Sequence, residues 1–163
     1  MTQRHFEQQG IFHVTTNTRR NIPWCVWPGV PEILIDNLCM TRNIYQAEVY
    51  AFCILPNHMH VVLRPGLRGL SAFMHSFKRN SAFHISAVMH FTAAEIHESP
   101  LRKQFTGWQK GFHDERIESA QQLEHALRYV RYNAWRHHFT NDPEDWPWSS
   151  LRFAHLMDPT DIW

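Results

Sequence analysis

Short alternating runs of hydrophobic residues predict four β-strands in this chain. The segments 10–16, 48–55 and 58–64 are rich in β-branched and aromatic residues, and turn-forming residues bound them. A fourth strand is expected over residues 107–113, where Trp108 and Phe112 each follow a glycine. Pro56 and Asn57 form a turn signal between the second and third runs, so these two strands are expected to pair as a hairpin.

Three further segments carry the hydrophobic period of an amphipathic helix. The first begins at Pro31 and extends to about residue 42. The second runs from residue 70 to about residue 89, with an apolar residue at every third or fourth position. The third follows a capping box formed by Ser119 and Gln122 and is expected to reach about His138. Residues 91–106 show no clear period and are expected to be an irregular connection, and residues 146–148 are expected to pack back as an aromatic clasp.

The order of these elements, β-α-β-β-α-β followed by a helix, is that of the split βαβ arrangement. It predicts an α+β fold with an antiparallel sheet, helices on one face and an additional C-terminal helix. The third strand is expected to lie inside the sheet. A length of 163 residues predicts a single domain over 1–163, with a core over about residues 10–140 and an acidic, aromatic tail over 141–163.

Composition and charge narrow the class of protein. Hydrophobic residues form 44% of the chain and charged residues 19%, as in globular proteins. No apolar run is long enough for a membrane span, and three cysteines without pairing spacing predict a reduced, cytoplasmic setting. The net charge of +1 divides into +5 over residues 1–141 and −4 over residues 142–163. A basic body with an acidic tail is compatible with binding to nucleic acid.

The most suggestive chemistry lies in the third strand. His58 and His60 are two positions apart, so both side chains leave the same face of the strand and could converge on one metal ion. A structural zinc site would need four ligands, usually including cysteines, and the three cysteines have no short spacing. The pair therefore favours an open, catalytic metal site over a structural one. The alternative is a pair of hydrogen-bonded core histidines, and the spacing does not decide whether they face the helices or the open side.

A second candidate lies on the last helix. Tyr129 and Asn133 are four residues apart, which makes them neighbours on a polar face of that helix. Arg128 and Arg131 flank them. Taken alone, Tyr129 fits an ordinary half-buried helix tyrosine.

Five motifs together resemble a known family. They occur in order over residues 52–63, 73–79, 108–112, 129–133 and 142–150. Their sequences are Phe-Cys-Ile-Leu-Pro-Asn-His-Met-His-Val-Val-Leu, Phe-Met-His-Ser-Phe-Lys-Arg, Trp-Gln-Lys-Gly-Phe, Tyr-Val-Arg-Tyr-Asn and Asp-Pro-Glu-Asp-Trp-Pro-Trp-Ser-Ser. Over roughly residues 10–153 the chain resembles the single-tyrosine transposases of the HUH nuclease superfamily, in particular the REP-associated tyrosine transposases of bacteria. One departure is Ala134, where the family often has proline after the asparagine.

The resemblance implies a ferredoxin-like domain that cleaves and rejoins single-stranded DNA. It assigns His58, His60 and Asn133 to a Mg²⁺ or Mn²⁺ ion and Tyr129 to the nucleophile that forms a 5′-phosphotyrosine intermediate. A phenol, with a pKa of ~10, is a better leaving group than an alcohol. Tyr132 competes for the role of nucleophile. Its partner would be a palindromic repeat folded as a hairpin, bound by a cytoplasmic, nucleoid-associated enzyme. A monomer is favoured, with a domain-exchanged homodimer as the alternative.

Basic and aromatic residues are the candidates for DNA contacts. The predicted phosphate contacts are Arg19, Arg20, Arg42, Lys78, Arg79, Lys110 and Arg131. Trp24, Trp27 and Trp108 are candidates for base stacking, although core positions are expected for most of them. Two other functions compete with that of transposase. One is a hairpin-binding protein without catalysis, and the other is a metal enzyme for a small substrate whose third ligand would come from residues 113–115.

Overall fold

Four antiparallel strands in the order β2-β3-β1-β4 form the sheet on which the remaining elements pack. The computed structural model describes residues 7–95 and 105–163. The strands are β1 (Ile11–Asn17), β2 (Glu48–Leu55), β3 (His58–Arg64) and β4 (His113–Ile117). The split βαβ order and the inner position of β3 are therefore confirmed.

The predicted position of the fourth strand is wrong. The segment 107–113 makes only an isolated bridge, between Trp108 and Thr18, and the strand begins where the prediction ends. The prediction followed the aromatic residues, but Trp108 is buried under α2 and its indole N–H donates to Ser81 Oγ at 3.0 Å. The strand itself is largely polar and exposed because it forms one edge of the sheet.

Two helices cover one face of the sheet. These are α1 (Val30–Tyr45) and α2 (Gly69–Glu95), and they enclose a core with Phe12, Val14 and Met59 from the strands. At the β3–α2 turn Gly66 has a φ of +69°, and a Cβ there would lie 2.3 Å from the Tyr45 carbonyl oxygen, so only glycine fits. None of the described helices is both long and apolar enough to span a membrane.

The second helix is longer than its hydrophobic period indicates. It extends to Glu95, about six residues past the expected end, so the first part of the predicted irregular connection is helical. Residues 96–104 of that predicted connection lie outside the described residues.

A third helix lies on the opposite face. It is α3 (Ala120–Arg131), capped by Ser119 Oγ, which accepts from the Gln122 N–H at 3.1 Å, while Gln122 Oε1 accepts from the Glu118 N–H at 2.7 Å. Its apolar stripe packs on β2 and β3. The stripe consists of Leu123, Ala126, Leu127 and Val130.

The third helix was predicted to continue to about His138, and this prediction is wrong in one respect. Tyr132, with φ −102° and ψ 11°, interrupts the helix before a short α4 (Asn133–Arg136). This break accompanies docking on the sheet, because the backbone of Ala134 hydrogen-bonds the Cys53 thiol and Asn133 is buried. The helical path then stops at His138, which adopts a left-handed φ of 62°.

The tail packs along the outer edge of β2, as predicted for the aromatic clasp. The Trp146 indole N–H donates to the Ile54 carbonyl at 2.9 Å, and the Ile54 N–H donates to the Trp148 carbonyl at 2.9 Å. Further along, Asp158 exchanges two 2.8 Å hydrogen bonds with the backbone of Val49. The tail therefore covers an edge that would otherwise offer unpaired backbone groups to another chain.

Candidate active site

The histidines of β3 face α3 and not the core under α1 and α2. Met59 and Val61 point into the core with α1 and α2, whereas Val62 packs in the cluster under α3. His58 and His60 alternate with Met59 and Val61, so they share the face of Val62. The sequence left this orientation open, and the structure places both rings on the side that also carries Tyr129.

The ring of His60 is held by two residues of β1. Its Nδ1 lies 3.0 Å from Thr15 Oγ1, directly opposite in the strand register, and 3.0 Å from His13 Nε2. Burial lowers the pKa of His60 to about 2, and the neighbouring rings of His13, His58 and His137 add to the effect. The imidazole is therefore neutral at physiological pH, which is the form that binds a metal.

His58 is oriented by the turn before it. Its Nδ1 lies 2.7 Å from the side-chain oxygen of Asn57, which acts as acceptor, so Nδ1 carries the proton and Nε2 keeps its lone pair. Its ring centroid is 5.0 Å from that of His60. Burial lowers the pKa of His58 as well, with a smaller contribution from His137. Both histidines are thus engaged at Nδ1, which leaves Nε2 for a ligand.

Tyr129 stands next to this pair within the same chain. Its ring centroid is 5.7 Å from that of His60 and 5.5 Å from that of His13. The guanidinium carbon of Arg136 lies 4.9 Å from the centre of the Tyr129 ring, a cation–π contact that helps to hold the ring. Tyr132 instead lines a separate cleft with Arg128 and Trp135.

Asn133 is a buried side chain that has no hydrogen-bond partner among the described residues. It is fully buried, and neither Oδ1 nor Nδ2 makes a hydrogen bond in the structure. It follows Tyr129 by one turn and precedes His137 by another, and those two rings contact His60 and His58 respectively. A buried amide without partners is costly unless a ligand satisfies it.

These donors fit a divalent cation. Imidazole nitrogens bind first-row transition metals and an amide oxygen suits Mg²⁺ and Mn²⁺, so this mixed set can hold a divalent cation with coordination positions left open. The described residues contain no group of three or more His, Cys, Asp and Glu side chains arranged to hold a metal. A third ligand from residues 113–115, which a small-substrate metal enzyme would need, is therefore not in place among them.

An open cleft of about 960 Å³ leads to the site between β1, β4 and α3. His60 and Tyr129 both line it, together with His113 and Glu115 of β4, whereas His58 does not. The cleft therefore gives access to the phenol and to one imidazole of the pair.

The predicted DNA-contacting residues fall into two groups. Arg19, Lys78, Arg79 and Lys110 line one cleft of about 610 Å³ beside α2, and Arg20 adjoins it in sequence. The Lys78 ammonium donates to the carbonyls of Gln109 and Gly111, so it holds this wall of the cleft together. Burial lowers the pKa of Lys78 to about 8.

The other two lie apart from that cleft, next to the tail. Arg42 donates to the Leu156 carbonyl and lies 3.7 Å from Asp158. Arg131 lines a small cleft with Asp158. Their contacts with the tail show a structural role for Arg42, and a phosphate contact for either residue stays a prediction.

Two of the three tryptophans considered for stacking are core residues. Trp24 is fully buried and Trp108 is 6% exposed, so neither ring can receive a base. Trp27 is half-buried and packs against the core.

Several residues that complete the site were not predicted from the sequence. His13 and Thr15 on β1 repeat the alternation of His58 and His60, and this was the available signal. Arg136 follows Tyr129 by seven residues, and this spacing, which places both on one face of a helix, was the available signal for it.

Comparison with known proteins then decides the family. The family described as IS200-like transposases matches residues 11–133, which is most of the chain and includes His58, His60, Tyr129 and Asn133.

This chain is a member of the IS200-like transposase family. A Haemophilus influenzae protein described as a REP-associated tyrosine transposase is 26% identical over 119 residues, which cover 68% of this chain. The chain spans 62% of the length of that relative.

Solved structures show that this IS200-like transposase has the fold expected from the resemblance. A REP-associated tyrosine transposase bound to a REP hairpin matches with a TM-score of 0.69 and 19% identity, covering 100% of this chain and 90% of the other. A Deinococcus radiodurans protein described as a transposase matches with a TM-score of 0.53 and 15% identity, covering 80% and 95% of the two chains. At these identities the likeness establishes the fold.

Proposed function

We propose that this protein is a metal-dependent endonuclease and strand transferase that acts on single-stranded DNA next to palindromic hairpins. The observation that carries the proposal is the position of Tyr129, 5.7 Å from His60 between ring centroids in the same chain. A helix tyrosine with no catalytic role would have no need of neutral, pre-oriented imidazoles beside its ring. Family membership supports the same chemistry.

His58, His60 and Asn133 would hold the cation, which stays unassigned between Mg²⁺ and Mn²⁺. When bound, this ion supplies charge that polarises the scissile phosphate and helps the 3′ oxygen to leave. Thr15 and His13 keep the His60 Nδ1 engaged, so that Nε2 is directed to the ligand. Asn57 does the same for His58.

Tyr129 is the nucleophile in this mechanism. Its phenolic oxygen forms a bond to phosphorus, the bond from phosphorus to the 3′ oxygen breaks, and the 3′ oxygen gains a proton as the phenol loses one. The product is a 5′-phosphotyrosine and a free 3′-OH. A second 3′-OH can attack the same phosphorus and release the tyrosine, which joins two strands without ATP.

The structure supports catalysis by a single copy of the chain. Tyr129 reaches the histidines of its own chain, so no exchange of α3 between protomers is needed to assemble the site. The tail occupies the β2 edge, which removes one surface for pairing between two sheets. A monomer acting in cis is therefore part of the proposal.

Hairpin recognition is assigned to the cleft beside α2. Arg19, Arg79 and Lys110 are exposed there, as phosphate contacts require. The solved relative that is bound to a REP hairpin supports a hairpin as partner.

A trapping assay tests the proposal. A single-stranded oligonucleotide with a palindromic hairpin is incubated with protein and Mn²⁺, and covalent adducts are separated under denaturing conditions. We expect Tyr129→Phe to bind the hairpin as the wild type does and to form no adduct. Tyr132→Phe is the matched control and should form the adduct, because Tyr132 lines a different cleft.

Two outcomes would contradict the proposal. Loss of the adduct in Tyr132→Phe but not in Tyr129→Phe would transfer the role to the other tyrosine. Tight hairpin binding with no adduct from the wild type in either metal would leave a DNA-binding protein without catalysis.

A further inference from the structure

A further cleft is lined by residues of α3, α4 and the segment that follows them. Its volume is about 570 Å³. Its lining residues are Arg128, Tyr132, Trp135, Arg136, His138, Thr140 and Asn141. We name it the α3–α4 cleft. Neither the histidine pair nor the basic cleft beside α2 contributes a residue to it.

Two exposed aromatic rings, those of Tyr132 and Trp135, line this cleft. Trp135 is 48% exposed and Tyr132 is 38% exposed, whereas Trp24 and Trp108 are buried in the core. Two neighbouring exposed rings form an aromatic surface on which a flat group could stack.

The charge around these rings favours an anionic partner. Arg128, Arg136 and His138 line the cleft, and none of the lining residues that the structure describes is acidic. Arg128 makes one ion pair, with Glu124 at 3.4 Å, but both side chains are highly exposed, so the pair is weak. Aromatic faces flanked by arginines are the usual means of binding single-stranded nucleic acid.

Arg136 connects the cleft to the site of chemistry. Its guanidinium lies 4.9 Å from the Tyr129 ring, while the same side chain lines the α3–α4 cleft. A strand whose phosphate is attacked by Tyr129 would therefore pass Arg136 before it enters the cleft.

We propose that the α3–α4 cleft stacks an unpaired nucleobase of the DNA strand next to the cleaved phosphate, mainly on Trp135. This inference rests on the proposed function for its placement, and its binding test does not depend on cleavage. Arg128 and Arg136 would contact the flanking phosphates. Stacking accepts any base, so the cleft would contribute affinity and position more than sequence preference.

The test compares two fluorescent probes in EDTA, so that no cleavage occurs. One is a 12-residue oligothymidylate, and the other is a 12-residue abasic chain with the same phosphates and no bases. We expect the wild-type full chain to bind the oligothymidylate about tenfold more tightly, as stacking of one base predicts. Trp135→Ala should lose this difference and keep its affinity for the abasic chain, and Trp135→Phe should recover most of it.

Trp163→Ala is the matched control, because Trp163 is 61% exposed and lines a different cleft. It should keep the full preference for the base-containing probe. The inference is overturned if the wild type binds both probes equally, if Trp135→Ala keeps the preference, or if Trp163→Ala loses it as well. The two proposals can fail separately. If the wild type forms no phosphotyrosine but Trp135→Ala loses the preference for oligothymidylate, the proposed chemistry is wrong and the stacking site is supported.

Discussion

The two faces of the sheet are made by the same strands and differ in what holds them. Towards α1 and α2, β1 and β3 present Phe12, Val14, Met59 and Val61, all buried in one apolar cluster. Towards α3 the alternate residues of the same two strands include His13, Thr15, His58 and His60, beside an open cleft.

The two faces show how the side chains of a site can be positioned precisely on a small sheet. Apolar contacts are non-directional, so the face under α1 and α2 fixes the strands by packing alone. Imidazoles need directional partners, and the face under α3 supplies them across the β1–β3 register and from the turn before β3. The rigid face thus holds the polar face in position, and Asn133 is left unsatisfied at the one place where a ligand is expected.

The largest expected effect is on the polar face. His60→Ala should lower the rate of strand cleavage by at least about a hundredfold, because it removes a ligand of the ion that stabilises the developing charge. Hairpin affinity in EDTA should not change. Quantitative cleavage assays check this, with His113→Ala as the control, since His113 lines the same cleft and is 59% exposed in its side chain. Equal losses in both variants would refute a specific role for His60.

The opposite face should respond in stability. Met59→Ala should lower the free energy of unfolding by about 2–5 kcal/mol, because Met59 is fully buried between the sheet and the helices. His58→Ala, one residue away on the polar face, should cost much less because His58 is only half-buried. Urea denaturation of both variants in EDTA measures the difference. The contrast between the faces fails if His58→Ala is the more destabilising change.

The two β1 residues that contact His60 provide a further test of the polar face. The double variant His13→Phe with Thr15→Val should weaken Mn²⁺ binding by about 10- to 100-fold, because His60 Nδ1 loses both of its partners. Titration followed by electron paramagnetic resonance of free Mn²⁺ gives the affinity without any need for activity. Thr15→Ser combined with His113→Phe keeps the hydroxyl and should leave the affinity close to that of the wild type. An unchanged affinity in the double variant would show that these contacts do not orient His60.

The smallest effect is on the pH dependence of stability. The pKa values of His13, His58 and His60 are lowered in the folded state, chiefly by burial, to about 2 for His60. The unfolded chain therefore binds more protons below the ordinary histidine pKa of ~6.5, and stability should fall as the pH drops below that value. Above it, these groups should add no slope.

His60→Gln tests this sign, because glutamine does not titrate. In metal-free buffer near pH 5 its unfolding free energy should fall less steeply than that of the wild type, by about 1.4 kcal/mol per pH unit. Urea midpoints between pH 7.5 and 5 supply the slopes. Parallel slopes would mean that His60 does not stay neutral in the fold.

Much of the fold could be predicted because its signals are local. The strands β2 and β3 match their predicted bounds, since alternation and the Pro56-Asn57 turn are properties of neighbouring residues. The fourth strand was misplaced because Trp108 looks like a strand residue and is in fact held by Ser81, 27 positions away. Its edge position, which makes the real strand polar, could not be read from nearby residues.

The site also has features that could be predicted from local sequence and features that could not. The alternation of His58 and His60 and the four-residue spacing of Tyr129 and Asn133 follow from local geometry. Which face the histidines occupy depends on α3 returning to the sheet, which no spacing shows. The break at Tyr132 likewise depends on burial of Asn133 against the sheet and not on a proline or glycine in the sequence.

The central claim is that the phenol of Tyr129, beside His58 and His60, is the group that becomes covalently linked to DNA. The most direct measurement is mass spectrometry of the trapped wild-type adduct after nuclease trimming and digestion with trypsin. Trypsin cuts after Arg128, Arg131 and Arg136, so the two neighbouring tyrosines fall in separate peptides, residues 129–131 and 132–136. We predict a phosphonucleotide on the peptide 129–131. The same mass increment on the peptide 132–136, or on neither peptide, would contradict the account.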